Sequence, residues 1–246
     1  MSYRGRVAPN RIDLPGTAEE AWDGWVELKR LPVADPLAWP SAVIVAAHPD
    51  DEILGAGGTL ARLAAGGARL RLAAVTDGEV SHPGADPRAT ARRRTAESAD
   101  ALRLLGVRDI EVIRLCFPDT GLTACEDELS SRLRELCDGF GVCLAPWDQD
   151  AHADHEAAGR AARRAARQAS QVLSYPIWMW HWAKPGDRRV PWQRACQVLL
   201  SADVAARKTA AINAFASQLT DREGTGPVLP PGIVAHFTRD QEVLLR

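Results

Sequence analysis

The six residues Ala47-His48-Pro49-Asp50-Asp51-Glu52 constrain this chain more than any other stretch. They follow Ser41-Ala42-Val43-Ile44-Val45-Ala46, an apolar run with the length and β-branched content of a buried strand. They lead into a helical pattern over 52–65. An imidazole and adjacent carboxylates therefore stand where a strand hands over to a helix. Open α/β sheets bind ligands at such strand ends, so these side chains are expected in a crevice and not in the core. Capping of the helix N-terminus would account for one carboxylate, not for three and a histidine.

From Ser41 onward strands and helices alternate. The helix at 52–65 stops at Gly66-Gly67, and the strand pattern Arg69–Val75 follows. A polar loop at 76–87 precedes a helix at about 89–105, closed by Gly106, and the strand 110–115. A helix at about 126–137 and a strand at 141–145 complete four βα units, with a further helix from Glu156 to about Ala169. Such alternation means a mostly parallel sheet with helices on both faces, a three-layer α/β/α Rossmann-like sandwich. At 246 residues one domain is expected over 41–246. Residues 1–40, rich in proline and charge, read as an N-terminal extension whose short helix from Thr17 packs on the domain through Trp22 and Trp25.

A second cluster, Pro146-Trp147-Asp148-Gln149-Asp150-Ala151-His152-Ala153-Asp154-His155-Glu156, begins directly after the fourth strand. Two strand ends of one parallel sheet open onto the same rim, so clusters about a hundred residues apart can meet. Imidazole nitrogen and carboxylate oxygen are the usual ligands of catalytic zinc, which keeps three protein ligands and an open position. His48 and Asp51, around one turn, can point at one ion with His155 as third ligand. Asp50 then stands beside the reacting water as general base. His82, His181 and His236 are dispersed, and of these His181 is the one to watch.

A formal net charge of −2 argues against nucleic-acid binding. The arginines at 92–94 and at Arg160, Arg163, Arg164 and Arg167 lie in Ala-rich helical segments and read as solvated helix faces. The first nine residues hold no apolar signal region, and no later stretch reaches the length of a membrane span, so a cytoplasmic protein is expected. Cys116, Cys125, Cys137, Cys143 and Cys196, without CxxC spacing, indicate neither a disulfide framework nor a cysteine metal site.

The unbroken run at 47–52, together with His152-Ala153-Asp154-His155, resembles the LmbE-like and PIG-L zinc-dependent N-deacetylases, which remove acetyl groups from N-acetylglucosamine conjugates. Thr76-Asp77-Gly78-Glu79, Arg94 with Glu97, Leu105-Gly106-Val107 and Pro118-Asp119 extend the resemblance over roughly 41–175. The resemblance implies His48, Asp51 and His155 as zinc ligands, with Fe2+ among the other divalent cations allowed, and Asp50 as base. It implies that His152 is the protonated partner of the oxyanion or the departing amine, oriented by Asp154. Arg94 and Asp119 correspond to places that contact sugar hydroxyls or hold the pocket wall; for Arg94 a helix-face salt bridge is the competing reading.

The carboxyl-terminal part is less similar. Residues 172–182 look like a strand running into a loop, and Trp178, Trp180, Trp182 and Trp192 could stack on a flat or sugar-like ligand; one face of an ordinary strand has the same spacing. Trp180 and His181 join the candidate substrate contacts. A helix over 202–218 carries Lys208, Ser217 and Gln218, similar to a Lys…Ser-Gln pattern of bacterial members. After a Gly/Pro-rich loop at 224–232, residues 242–246 read as a late edge strand. The expected activity is hydrolysis of an N-acetyl or other N-acyl group on an acetamido sugar conjugate or related small metabolite, with homo-oligomerisation open. Three alternatives compete. A non-catalytic metal- or sugar-binding relative would not need every hydrolytic position. A non-haem iron oxygenase usually sits in an all-β barrel. A dinucleotide site would not carry its glycines inside the helix.

Overall fold

The computed structural model describes residues 10–166, 171–222, 224 and 226–246. The leader reading at 1–9, the helix end at 167–169 with Arg167, and Glu223 and Thr225 of the Gly/Pro-rich loop lie outside the described residues. Among the described residues seven strands form one sheet: β1 (Ser41–Ala46), β2 (Arg69–Ala74), β3 (Ile110–Arg114), β4 (Val142–Pro146), β5 (Gln171–Tyr175), β6 (Ala195–Leu199) and β7 (Gln241–Leu245). Their order is β3-β2-β1-β4-β5-β7-β6. β1 to β5 run parallel, whereas β7 is antiparallel to both β5 and β6.

β1 lies centrally because its residues from Ala42 to Ala46 are apolar without alternation, which requires cover on both faces. That cover comes from two layers. The helices α1 (Asp51–Ala65), α2 (Pro87–Leu105) and α5 (Ala202–Ile212) pack with Ile44 and Leu72 on one face. The helices α3 (Glu126–Cys137) and α4 (Ala153–Ala165) pack with Val43 and Val45 on the other. The three-layer, mostly parallel architecture is the one expected. Winding proceeds outward from β1 through β2 to β3, then restarts on the opposite side at β4. The carboxyl ends of β1 and β4 therefore flank the switch point, where a crevice forms.

The glycines inside α1 have a packing cause. A Cβ at Gly55 would run into the ring of Tyr175, and one at Gly58 into Leu200, so the cost of helical glycine, about 1 kcal/mol, is accepted for close approach. The Tyr175 hydroxyl, so placed, donates to the carbonyl of Val45 at 2.5 Å.

Three expectations differ. β6 escaped sequence reading, and β7 is not an edge strand but lies between β5 and β6. Its Glu242 is buried and accepts from Lys208 Nζ at 2.6 Å and from the Gly58 and Thr59 amides, which locks the strand under α1 and α5. The helix expected over 202–218 breaks after Ile212 and resumes as the short helix Ala216–Leu219, which places Gln218 at the crevice and Ser217 against Glu97. Residues 172–182 form β5 followed by the short helix Met179–Trp182.

Candidate metal and catalytic site

The turn after β1 is held by its own side chains and by one arginine. The amide of His48 donates to Asp51 Oδ2 at 2.9 Å, and the amide of Asp50 donates to Glu52 Oε2 at 3.1 Å. Asp50 adopts φ 128°, which costs a non-glycine residue about 1–3 kcal/mol unless its surroundings dictate it. They do. Arg94, only 3% exposed, donates from Nη2 to Asp50 Oδ2 at 3.0 Å and to the Pro49 carbonyl at 2.7 Å, and from Nη1 to the Gly78 carbonyl at 3.2 Å. Gly78, at φ 64°, leaves room for that guanidinium where a Cβ would collide with it. Arg94 is thus no solvated helix-face residue, unlike Arg92 and Arg93, which stay exposed.

The turn after β4 presents the second cluster. Asp150 is fully buried and accepts from the amides of Ile177, Trp178 and Met179 and from His155 Nδ1 at 2.8 Å. This fixes the His155 ring with Nε2 pointing 3.3 Å from Asp51 Oδ1, across the two strand ends. His48 Nδ1 stands 3.6 Å from Asp51 Oδ2, so Asp51 lies between the two histidines. His48 Nε2 faces Asp119 Oδ1 and Asp154 Oδ2, each at 3.3 Å. The His152 ring centre lies 4.4 Å from that of His155 and 5.0 Å from that of His48.

Electrostatics follow from burial and these neighbours. Burial would push the Asp51 carboxyl up, but the charge of His155 and the contacts with His48 carry it far below the ordinary range. Burial would lower the proton affinity of His48, yet Asp119, Asp154 and Asp51 raise it well above the usual value. Asp50 is pushed up to about 7, by burial first and by Asp51 and Glu52 next, with Arg94 and His48 opposing. His152 is pulled down to about 3 by burial and by neighbouring His155 and His48.

These groups line a cavity of about 170 Å³ with Arg94, Asp119, Thr120, Trp178 and Gln218, and with apolar walls from Leu54, Val80, Ile177 and Leu229. Of the expected residues, His48, Asp50, Asp51, His152, His155, Arg94 and Asp119 converge there. Two expected substrate contacts do not. Trp180 is buried against Trp22, 5.0 Å between ring centres at 88°, and accepts the Trp22 indole N–H on its carbonyl. His181 reaches the carbonyl of Leu14 at 2.8 Å. Both serve to dock the segment before β1, since a short helix turns them away from the crevice; Trp178 faces the cavity instead.

Two expected roles change as well. Asp154 does not orient His152; its oxygens accept from the amides of Thr120 at 2.7 Å and Leu122 at 3.1 Å and face His48. Burial and the neighbouring His155 and His48 push the His152 ring down to about 3, and its buried Nδ1 has no hydrogen-bond partner among the described residues. Sequence reading missed Asp150, whose only signal was its place among the four carboxylates of the cluster, five residues before His155. It also missed that Glu52 turns from the cavity to accept the Ser98 hydroxyl at 2.6 Å.

The donors suit a divalent cation. Asp51 Oδ1 stands 3.3 Å from His155 Nε2 and Asp51 Oδ2 3.6 Å from His48 Nδ1, so the carboxylate uses a different oxygen toward each histidine. His48, His152 and His155, and likewise His48, Asp119 and Asp154, each bring one donor atom within 4.8 Å of the others.

A family model described as PIG-L, GlcNAc-PI de-N-acetylase, matches residues 43–166. Over 103 residues the chain is 36% identical to 1D-myo-inositol 2-acetamido-2-deoxy-alpha-D-glucopyranoside deacetylase 1 of Catenulispora acidiphila, a match covering 37% of this chain and 32% of that protein. The chain thus spans about a third of that relative. Over 139 residues it is 32% identical to the uncharacterized deacetylase YaiS of Escherichia coli, covering 53% of this chain and 70% of the relative. The fold is similar to that of N,N'-diacetylchitobiose deacetylase from Pyrococcus horikoshii, with TM-score 0.60, 21% identity and coverage of 85% and 82% of the two chains.

Proposed function

The chain belongs to the PIG-L family of de-N-acetylases, and from that premise we propose that it is a divalent-metal-dependent hydrolase that releases acetate from an N-acetylated amino-sugar conjugate. The observation that carries this reading is the position of Asp51 between His48 and His155, joining two strand ends with Asp50 beside them. His48, Asp51 and His155 would hold the ion, and their nitrogen and oxygen donors suit zinc or ferrous iron. When bound, such a cation supplies polarisation of the amide carbonyl and acidification of water.

The chain's own groups do the rest. Asp50 accepts the proton of the attacking water, and Arg94 holds its carboxylate in place. His152, neutral and with one ring N–H, donates a hydrogen bond to the carbonyl oxygen as it gains charge. As the C–N bond breaks, the proton held on Asp50 passes to the departing nitrogen, leaving the free amine and acetic acid, which gives up the water's second proton to become acetate. Trp178 and Leu229 form part of the wall of the cavity in which the reacting group would sit. The substrate is a small molecule, and no described helix is long and apolar enough to cross a membrane.

Acetate release from a panel of N-acetylglucosamine conjugates of differing aglycone tests the reading. The metal-loaded protein is expected to release acetate and the chelated protein not to. Turnover that persists unchanged in Asp50→Asn, or its absence throughout the panel with metal bound, would sink the proposal.

A further inference from the structure

Gln218 is fully buried, lines the cavity shared by His48, Asp50 and His152, and carries a carboxamide oxygen, Oε1, that is buried with no hydrogen-bond partner among the described residues. A buried acceptor left unpaired costs about 1–3 kcal/mol, so its presence calls for a use.

The orientation of that amide is dictated by its neighbours. The Ser217 hydroxyl donates to Glu97 Oε2 at 2.6 Å, and the Ser217 amide donates to Glu97 Oε1 at 2.8 Å. With its one proton committed to the carboxylate, Ser217 Oγ offers only lone pairs to Gln218, whose Nε2 donates to it at 2.8 Å. Reversing the amide would set two acceptors against each other. The relay Glu97, Ser217, Gln218 therefore leaves Oε1 as the free acceptor. The backbone of Gln218 meanwhile accepts from the Leu229 amide at 2.9 Å, tying an apolar wall of the cavity to the same residue.

We propose that Gln218 is a specificity-determining substrate contact: its Oε1 accepts a hydrogen bond from an O–H or N–H donor of the substrate. The choice of probe rests on the deacetylase reading above; the contact itself does not.

The test uses the full-length, metal-loaded protein with methyl N-acetyl-β-glucosaminide, its singly O-methylated derivatives and its N-methyl amide. KM and kcat are measured for the wild type and for Gln218→Met, which keeps the length and loses the acceptor. Binding is measured by calorimetry in the same pair carrying Asp50→Asn. One methylation is expected to weaken wild-type binding and raise KM about tenfold, and to cost Gln218→Met nothing further. A methylated hydroxyl or a methylated amide as the sensitive position identifies which donor is read. Glu97→Gln is expected to erase the same discrimination, because its amide can donate to Ser217 and so reverse Gln218. A merely structural role would lower melting temperature and weaken all probes alike, which overturns the proposal, as does binding of no probe at all. If probes bind with this discrimination but are not hydrolysed, the hydrolytic reading fails and the contact stands.

Discussion

Arg94 Nη2 and Asp50 Oδ2 lie 3.0 Å apart with both side chains buried, so a helix that follows β2 controls the carboxylate presented by the turn after β1. The same guanidinium bonds the Pro49 carbonyl, which ties the unusual backbone of Asp50 to one neighbour. Replacing Arg94 by Met leaves a buried carboxylate unpaired and releases that turn. The expected result is a stability loss of about 3–5 kcal/mol in urea unfolding, together with a fall in turnover. A stable Arg94→Met protein with unaltered kcat would show that the contact does not position Asp50.

Asp50→Asn keeps the shape of the turn and leaves His48, Asp51 and His155, the proposed ligands, in place, but removes the proposed proton acceptor. Metal content by elemental analysis should match the wild type, while acetate release falls by at least about a hundredfold. Equal loss of metal and activity would instead make Asp50 a ligand.

Metal retention should depend on both His155 and the carboxylate behind it. His155→Ala is expected to lose the metal and turnover together. Asp150→Asn, which weakens the grip on the His155 ring at 2.8 Å, should lower metal affinity by about ten- to a hundredfold in chelator competition. Unchanged affinity in Asp150→Asn would remove its positioning role.

Glu19 joins the segment before β1 to the end of the chain, through His236 at 2.5 Å and Arg239 at 2.5 Å. Burial would raise its carboxyl, but the bonds from Arg239 and His236 outweigh burial and hold it below the ordinary value. A carboxyl depressed in the folded state adds stability above its unfolded value, near pH 4.3, and loses it as pH falls through the folded value. Glu19→Gln should therefore melt lower than the wild type at pH 7, with the gap narrowing below about pH 4. A gap independent of pH would mean that packing, not charge, is at work.

Gly55→Ala places a methyl group into the Tyr175 ring. Overpacking of this kind costs about 1–3 kcal/mol, against the gain in helix propensity that alanine brings elsewhere. An increase in unfolding free energy would contradict the packing account of this glycine.

The sequence by itself determined the sheet's order of events and the rim where the chemistry gathers. Apolar runs such as Val43-Ile44-Val45 and the helix stop at Gly66 act within a few residues, and four successive βα units leave a parallel sheet as the outcome. The run at 47–52 and the histidines at 152 and 155 could be assigned to one crevice because parallel strands share a rim. Tertiary structure alone decided what each side chain touches there. Trp180 and His181 had the composition of a binding surface but went to the segment before β1, where Trp22 packs edge-on against Trp180 and the Leu14 carbonyl meets His181. Asp154 went to the 120–122 backbone, Asp150 became the support of His155 through amides at 177–179, and Gln218 acquired its free oxygen from a glutamate on another helix. Each of these depends on hydrogen-bond partners distant in sequence, whose geometry exists only once the layers have packed. Local pattern therefore carries the elements and the residue types, and long-range satisfaction of buried polar groups assigns the roles.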